Sequence, residues 1–297
     1  MLNLNMHKSG FINILGNPNV GKSTLMNCLV GENLSIITPK VQTTRHRILG
    51  ILNNANYQLI FSDTPGIIEP KYELQSSMMD FVKNSFDDAD IIIYMVEVGD
   101  RLKNNADIHN RLLKLKIPLI ILLNKIDLTN QTNLENEADY WSTKFPNAEI
   151  FSISALNNFN IESLLQRLID LTPKSPKYFP DDQMTDKSER FFVNEKIREK
   201  ILMYYSKEIP YSVEVLTSEF KNEEKIIKIR SQILVERESQ KAIIIGHKGN
   251  ALRKIGTKSR KDLELFFDKK IFLDLHVKVL KNWRSDPKLL KKFGYKN

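Results

Sequence analysis

Short apolar runs alternate with longer amphipathic stretches over roughly the first 170 residues of the chain. The apolar runs predict strands at Phe11–Leu15, Tyr57–Phe61, Ile91–Val96, Leu119–Leu123 and Ile150–Ile153. Helical spacing of apolar residues occurs between them, in Lys22–Leu29, Leu74–Phe86 and Ile161–Ile169. Strands that alternate with helices predict an α/β fold with a mostly parallel, doubly wound sheet, which binds its ligands at the carboxyl ends of the strands.

A polar stretch with three prolines, residues 172–186, separates this pattern from a different one. The second pattern predicts a helix, an antiparallel strand pair, a helical or extended run, an amphipathic helix and a closing strand. In chain order these are Arg190–Ser206, Ser212–Phe220 with Lys225–Val235, Lys241–Ile245, Asn250–Phe267 and Ile271–Leu280. We therefore expect an α/β domain over residues 1–175, a linker over 176–186 and a smaller α+β domain over 187–297.

The positive charge of the chain is concentrated in its C-terminal part. Residues 186–297 contain 27 of the 44 lysines and arginines but 16 of the 36 acidic residues, so they carry a net charge of +11 and leave −3 for residues 1–185. A basic domain beside a mildly acidic one predicts a polyanionic partner, either a nucleic acid or an anionic membrane surface. Charge alone does not distinguish such a partner from an ordinary solvated face.

Composition narrows the setting of the protein. The longest apolar runs, such as Leu119–Leu123, are far shorter than the ~18 residues that a membrane-spanning helix needs. The N-terminal pattern does not predict a signal peptide, because Asn13 interrupts its apolar stretch. One cysteine, Cys28, excludes an internal disulfide and favours a reducing, cytoplasmic location.

A phosphate-binding loop follows the first predicted strand. It matches GxxxxGK[ST] and opens a predicted helix, which is the context that this motif requires; its residues are Gly16, Asn17, Pro18, Asn19, Val20, Gly21, Lys22 and Ser23. Backbone N–H groups of such a loop face phosphates at a helix N-terminus. We expect Lys22 to neutralise the β- and γ-phosphates and the Ser23 hydroxyl to bind Mg²⁺.

Two further motifs lie at predicted strand ends, and the second of them identifies the base. The first consists of Asp63, Thr64, Pro65 and Gly66, where the carboxylate can hold Mg²⁺ and the Gly66 N–H can approach the γ-phosphate. The second is Asn124-Lys125-Ile126-Asp127, in which Asp127 can accept from guanine N1–H and the 2-amino group. Two such charge-assisted bonds predict a preference of roughly 10²–10⁴ for guanine over adenine. Lys125 would lie over the base and Asn124 would brace the loops.

Weaker signals surround these motifs. The sequence Ser154-Ala155-Leu156 follows a predicted strand and can supply a backbone N–H to guanine O6. A loop that responds to the γ-phosphate is expected between the first two motifs, with residues Gln42, Thr43, Thr44, Arg45 and His46. Thr44 is the first candidate to bind Mg²⁺ there, and Thr43 is the alternative.

The C-terminal part contains a GxxG loop formed by Gly246, His247, Lys248 and Gly249. It lies between two predicted helical stretches, and the second of them carries Arg253 and Lys254. Paired glycines allow a sugar-phosphate backbone to approach closely, and a KH domain clamps about four nucleotides of single-stranded RNA in this way. A helix-turn-helix without a ligand is the alternative interpretation of the same pattern.

Together the motifs resemble the Era GTPases of bacteria. The resemblance rests on GNPNVGKST, which ends at Thr24, on QTTRHRI, DTPG and NKID, and on EKIREKIL, ILVERESQKAIIIGHKG and TKSRKDLELFF in the second domain. It covers nearly the whole chain and implies a Ras-like GTPase domain followed by a type II KH domain. It further implies binding of the single-stranded 3′ end of 16S ribosomal RNA and a role in 16S rRNA processing and biogenesis of the 30S subunit.

The resemblance also carries secondary expectations. It implies Mg²⁺ as cofactor and Asn19 as a ligand for K⁺, a monomer, no DNA partner, and peripheral contact with the cytoplasmic face of the inner membrane. A membrane-associated regulatory GTPase, acting in cell-cycle or metabolic control, is the alternative function. Ile67 stands where Ras-like signalling proteins carry the glutamine that positions water, so we expect slow intrinsic hydrolysis.

Overall fold

The computed structural model describes residues 7–100 and 106–296. The chain forms two compact units. The first contains Thr44–Pro70, Met78–Asp186 and the N-terminal stretch up to Ser35; the second contains Ile36–Thr43, Lys71–Ser77 and Lys187–Asn297. Domain boundaries at 175 and 187 stay a prediction, and their outer ends, residues 1–6 and 297, lie outside the described residues.

In the first unit, the described strands form one sheet in the order β2-β3-β1-β4-β5-β6. All neighbours pair in parallel except β2, which is antiparallel to β3. The strands are β1 (Lys8–Gly16), β2 (Ile48–Asn53), β3 (Tyr57–Asp63), β4 (Ile91–Glu97), β5 (Leu119–Asn124) and β6 (Glu149–Ser152). The helices are α1 (Lys22–Val30), α3 (Ala106–Leu113), α4 (Gln131–Lys144), α5 (Ile161–Leu171) and α2 (Glu73–Asn84), whose residues up to Ser77 belong to the second unit.

The central strands explain why the sheet is parallel and covered. β4 and β5 are uninterrupted apolar runs, and Ile91–Val96 and Leu119–Leu123 are buried throughout. Strands that are apolar on both faces need cover on both faces, which is what parallel sheets with crossover helices provide. The predicted mostly parallel α/β sheet is confirmed.

The strand missing from the sequence prediction is β2, an edge strand interrupted by Gly50. A side chain at Gly50 would lie 2.8 Å from Cγ2 of Val30 on α1, so the glycine lets helix and strand pack closely. The outer side of β2 is covered by the chain that precedes α6 (Glu189–Tyr204): Ile51 N–H donates to the Met184 carbonyl at 2.8 Å, and Leu49 N–H donates to Asp186 at 2.9 Å. The segment predicted as a linker is thus hydrogen bonded along β2.

The second unit packs helices on a three-stranded sheet in the order β7-β8-β9. Its further elements are β7 (Glu214–Asn222), β8 (Ile227–Val235), α7 (Glu238–Ile245), α8 (Asn250–Phe267), β9 (Ile271–Val279) and α9 (Pro287–Lys292). β7 and β8 are antiparallel, as predicted, and β9 joins β8 in parallel. The core is formed by helical residues at intervals of four, such as Val193, Ile197 and Ile201, against alternate positions of β8. The run predicted as helical or extended is the helix α7.

A buried histidine in the first unit makes stability depend on pH. His109 on α3 lies with its Nε2 3.1 Å from the Tyr94 hydroxyl, and its ring meets Phe145 edge-on. Burial, and secondarily the charge of Lys144, lowers the pKa of His109 to about 4. The unfolded chain, with an ordinary histidine pKa near 6.5, therefore binds more protons than the folded chain between pH ~6.5 and ~4, and stability falls with pH through that window.

We expect His109→Gln to remove this dependence. Between pH 6.5 and pH 5 the free energy of unfolding of the wild type should fall by about 1.5 kcal/mol more than that of the variant, because only the wild type must bury an imidazole that the unfolded chain can protonate. Urea unfolding at the two pH values measures the difference. Equal losses in both proteins would show that His109 is not the titrating group.

Candidate functional site

The phosphate-binding loop lies where the sequence places it, between β1 and α1. Lys22 is buried, and its ammonium donates to the backbone carbonyls of Gly16 at 3.0 Å and Asn17 at 2.8 Å. Burial lowers the pKa of Lys22 to about 8, and the nearby charge of Asp63 opposes that fall. A polyphosphate at this loop would add the negative charge that holds the lysine protonated.

Three side chains from separate elements meet beside the loop. Ser23 Oγ on α1 donates to Asp63 Oδ2 at the end of β3 at 2.7 Å. The Thr44 hydroxyl lies 2.9 Å from Ser23 Oγ and 3.3 Å from the same carboxylate oxygen. The loop that carries Thr44 precedes β2. The three side chains thus come from separate stretches of the sequence and lie within hydrogen-bond distance of one another.

The Asp63 carboxylate fits a divalent cation. It is fully buried, and its Oδ1 has no hydrogen-bond partner among the described residues. Burial raises the pKa of Asp63, although hydrogen bonds from Ser23 and the charge of Lys22 oppose the rise. A buried carboxylate oxygen without a donor, beside two hydroxyls, is the oxygen-rich donor set that Mg²⁺ takes together with phosphates and water. No cluster of three or more histidine, cysteine or acidic side chains suited to a metal occurs in the described part of the chain.

The two candidate threonines of this loop point to different partners. Thr43 Oγ1 donates to the Lys40 carbonyl at 2.6 Å and lies 2.6 Å from the Thr38 hydroxyl, so it is used within its own loop. Only the Thr44 hydroxyl reaches Ser23 and Asp63. The geometry therefore favours Thr44 over Thr43. The remaining residues of the loop are placed otherwise: Gln42 accepts from Tyr72, Arg45 is buried, and the ring of His46 faces Phe81.

Gly66 brings the loop after β3 against the phosphate-binding loop. A Cβ at this position would lie 2.7 Å from Pro18 Cα, so a side chain would force the two loops apart. The next residue, Ile67, donates its N–H to the Gly16 carbonyl at 3.1 Å, and its apolar side chain is buried. Thr64 donates to the Ile14 carbonyl at 2.7 Å, which fixes the start of this loop on β1.

Asn124 joins three loops at the carboxyl edge of the sheet. Its Nδ2 donates to the Val20 carbonyl at 2.7 Å, and its Oδ1 accepts from Ala155 N–H at 3.0 Å. The exposed Asp127 accepts from Ser154 Oγ at 2.5 Å, and Leu156 is exposed next to them. The sequence motifs at Asn124–Asp127 and Ser154–Leu156 are thus brought together.

Two acidic side chains at this site were not found from the sequence. Glu97, at the end of β4, pairs with the Lys125 ammonium at 2.6 Å. Asp100 accepts from Asn17 Nδ2 at 2.9 Å. Glu97 ends the apolar strand β4 and Asp100 follows it, so position at a strand end was the available signal, but neither residue belongs to a recognisable motif.

In the second unit, the GxxG loop is a short turn between α7 and α8. Gly246, Lys248 and Gly249 all have positive φ, at 69°, 49° and 76°, so the backbone is left-handed over most of the loop. No side chain of this turn is buried. Arg253 and Lys254 are exposed one turn further along α8, and Lys254 lies 4.3 Å from the centre of the Tyr204 ring.

A groove runs from this loop between α8 and β9. It is lined by Gly249, Leu252, Arg253, Gly256, Thr257, Arg260, Leu273 and Leu275. The lining combines apolar side chains and two glycines with two arginines. Such a groove can take unstacked bases on the apolar surface and phosphates at the cations.

Family comparisons divide the chain in the same order. The model for a 50S ribosome-binding GTPase matches residues 11–125, and the model for a KH domain matches residues 208–284. GTPase Era of Syntrophus aciditrophicus is 48% identical over 293 residues, which cover 98% of this chain and 96% of the relative. GTPase Era of Clostridium kluyveri is 46% identical over 296 residues, covering 98% and 100%.

Solved structures agree over the full length. Era in complex with MgGDPNP and nucleotides 1506–1542 of 16S ribosomal RNA superimposes with a TM-score of 0.93 at 39% identity, covering 98% of this chain and 100% of that one. A variant of Aquifex aeolicus Era bound to GDP and aluminium fluoride gives the same values. With these relatives, the phosphate-binding loop and the KH domain, the chain belongs to the Era family of GTP-hydrolysing enzymes.

Proposed function

We propose that this GTPase is a Mg²⁺-dependent switch that binds the single-stranded 3′ end of 16S ribosomal RNA through its KH domain and acts in 16S rRNA processing and 30S subunit biogenesis. The observation that carries the proposal is the convergence of Ser23, Thr44 and Asp63 beside Lys22, in a chain that also bears the exposed GxxG loop. A γ-phosphate-dependent loop is the usual means by which GTPases report their nucleotide state.

Mg²⁺ would be held by the Ser23 and Thr44 hydroxyls and by Asp63, directly or through water. When bound, it supplies positive charge to the β- and γ-phosphates. The protein's own part is mainly positioning: Lys22 neutralises phosphate oxygens, and Gly66 N–H is available to the γ-phosphate. Thr44 closes the loop when that phosphate is present. The structure of Era with MgGDPNP supports the assignment by analogy.

Guanine recognition is assigned to the exposed Asp127. Ser154 already donates to one of its carboxylate oxygens, which fixes the rotamer before the base arrives. Asn124 connects that loop to the phosphate-binding loop through hydrogen bonds, so the groups that bind the base and those that bind the phosphates are held in fixed positions relative to each other. We assign to Lys125, which is paired with Glu97, the role of covering the base with its methylene stem.

Hydrolysis must proceed without a water-positioning glutamine after Gly66, because Ile67 at that position is apolar and buried. We assign a K⁺ ion to Asn19 for this reason. A second cation at the phosphates would stabilise the charge that develops in the transition state, as an arginine finger does elsewhere. Asn19 has a positive φ of 65°, a conformation that asparagine tolerates better than most residues.

RNA binding is assigned to the GxxG loop and the α8–β9 groove. The basic excess of residues 186–297 supports a polyanionic partner, and one structural relative is described as bound to nucleotides 1506–1542 of 16S ribosomal RNA. The specific RNA, the part played in 30S assembly and the cytoplasmic location belong to this proposal. So do the monomeric state and the absence of a DNA partner.

The same basic surface favours a second candidate, a regulatory GTPase that contacts anionic lipid headgroups peripherally. Among the described residues no helix combines the length and apolarity that crossing a bilayer requires. Footprinting on ribosomal RNA and co-sedimentation with phosphatidylglycerol vesicles distinguish the two candidates. Protection of RNA without vesicle binding is the outcome that we expect.

Guanine specificity should depend on Asp127. We expect Asp127→Asn to lose GTP affinity by roughly 10²-fold or more and to gain affinity for xanthosine triphosphate, whose 2-oxo group needs a donor. Equilibrium binding of both nucleotides measures the exchange. Asp139→Asn, at an exposed position of α4, is the matched control and should bind GTP like the wild type. Unchanged GTP affinity in Asp127→Asn would exclude this base-reading role.

Turnover should depend on the monovalent cation. At equal ionic strength, the rate of hydrolysis in KCl should exceed that in NaCl by roughly tenfold or more. A positive charge at this place, when an arginine finger supplies it, raises kcat by about 10³–10⁵-fold. Asn19→Ala should abolish the difference while GDP binding remains. Equal turnover in the two salts would leave Asn19 without this role.

Acidic residues in the GxxG loop should abolish RNA binding and spare GTP binding. The double variant His247→Glu/Lys248→Glu places negative charge where the RNA backbone would approach, whereas every nucleotide motif lies in other segments. Lys225→Glu/Lys281→Glu changes more charge at exposed positions outside the loop and is the control.

The test measures the affinity of the wild type and of both double variants for a 3′-terminal 16S fragment over a range of salt concentrations. The wild type should show a log–log slope near −0.7 per neutralised phosphate. RNA binding by the loop variant at wild-type strength would remove the GxxG loop from the mechanism.

A further inference from the structure

The stretch Ile36–Thr43 belongs to the second compact unit, although it lies between α1 and β2 in the chain. Two of its contacts with the rest of that unit involve backbone carbonyls. Arg198 Nη2 donates to the Thr43 carbonyl at 2.5 Å, and the Lys40 ammonium donates to the Tyr205 carbonyl. The loop that ends at Thr44 is therefore attached to α6 immediately before the threonine that reaches Ser23 and Asp63.

The guanidinium of Arg198 is well suited to hold one backbone group in a fixed place. The side chain is buried, with an exposed fraction of 1%, and it pairs bidentately with Glu195 one turn earlier on α6: Nε to Oε1 at 2.8 Å and Nη2 to Oε2 at 2.5 Å. Burial alone would lower the pKa of Arg198, but Glu195 raises it above its ordinary value, so the group stays charged. A planar cation fixed on two sides loses little freedom when it donates once more.

What Arg198 holds is the peptide group that precedes Thr44. Because the peptide is planar, fixing the Thr43 carbonyl also fixes the Thr44 N–H and leaves fewer backbone rotations to that residue. The Thr43 side chain is committed to the Lys40 carbonyl and to Thr38, so the carbonyl is the part of Thr43 that connects to α6. Thr44 is thereby restricted at its own backbone N–H.

We propose that Arg198 is a positioning residue for Thr44 in GTP hydrolysis: it pre-orders the backbone at Thr43 so that the Thr44 hydroxyl is available to the Mg²⁺ beside Ser23 and Asp63. This rests on the proposed role of Thr44. In this role Arg198 acts through the Thr43 backbone and contributes no group to the nucleotide or the metal. It acts by reducing the ordering that Mg²⁺ and the γ-phosphate must otherwise impose on the loop.

The inference predicts a specific defect in Mg²⁺ dependence. In the full chain, Arg198→Lys retains a cation beside Glu195 but cannot serve Glu195 bidentately and the Thr43 carbonyl at once. We expect the Mg²⁺ concentration for half-maximal single-turnover hydrolysis to rise by about tenfold, the lower range of what a charge-assisted hydrogen bond contributes. At saturating Mg²⁺ the rate should recover towards that of the wild type, since no catalytic group has been removed.

Two further variants separate positioning from general damage to α6. Lys200→Met removes another buried cation of the same helix, which pairs with Asp262 and makes no described contact with 36–43, and should leave the Mg²⁺ dependence unchanged. If Arg198→Lys does not fold, the apolar pair Glu195→Met/Arg198→Met replaces the ion pair at similar volume, an exchange that is often neutral or stabilising. It should show the same Mg²⁺ shift.

A double-mutant cycle with Thr44→Ala completes the test. Thr44→Ala alone should raise the Mg²⁺ requirement, and adding Arg198→Lys should then change nothing more, because the residue to be positioned is gone. If Thr44→Ala leaves the Mg²⁺ requirement unchanged, the assigned role of Thr44 fails. If Thr44→Ala raises it but folded Arg198→Lys does not, or if the two effects simply add, the role of Thr44 stands and the inference about Arg198 is wrong.

Discussion

Burial of the Asp63 carboxylate at the end of β3 is the constraint on which the nucleotide site depends. A charged group without solvent must find donors or a cation, since leaving it unpaired costs several kcal/mol. Here Ser23 and Thr44 each reach one oxygen from a different part of the chain, and the other oxygen has no partner in the described residues. The oxygen that accepts from Ser23 and Thr44 thus holds the two loops together. The other oxygen is available to bind a cation.

The surrounding sheet makes this arrangement rigid. β3 pairs with β1 in parallel over the whole of its own length, from Tyr57 beside Lys8 to Asp63 beside Ile14, so the phosphate-binding loop and Asp63 emerge at the same edge in fixed register. β5 delivers Asn124 at that edge as well, and its amide reaches Val20 and Ala155. Apolar strands buried on both faces therefore determine the site, because they leave the loops at their carboxyl ends little freedom to move independently.

The sequence predicted most of the fold and the residues with motif-like spacing, and its failures have physical causes. β2 was not predicted because Gly50 interrupts its apolar pattern. The glycine is needed for close packing against Val30, which is a tertiary contact that the local sequence does not show. α3 and α4 were not predicted either: α4 is a polar helix with few buried residues, and α3 is only eight residues long. Glu97 and Arg198 were missed because their partners, Lys125 and Thr43, lie 28 and 155 residues away, and no local pattern encodes a contact of that separation.

The segment between α5 and α6 covers one edge of the sheet. An edge strand offers a row of unpaired N–H and C=O groups on which a foreign strand can add, and exposed edges of this kind promote aggregation. β2 is such an edge, yet the carbonyl of Met184 and the carboxylate of Asp186 already use its outward N–H groups at Ile51 and Leu49. The opposite edge, β6, is only four residues long. The protein thus protects one edge by covering it with its own backbone and the other by keeping it too short to serve as a template.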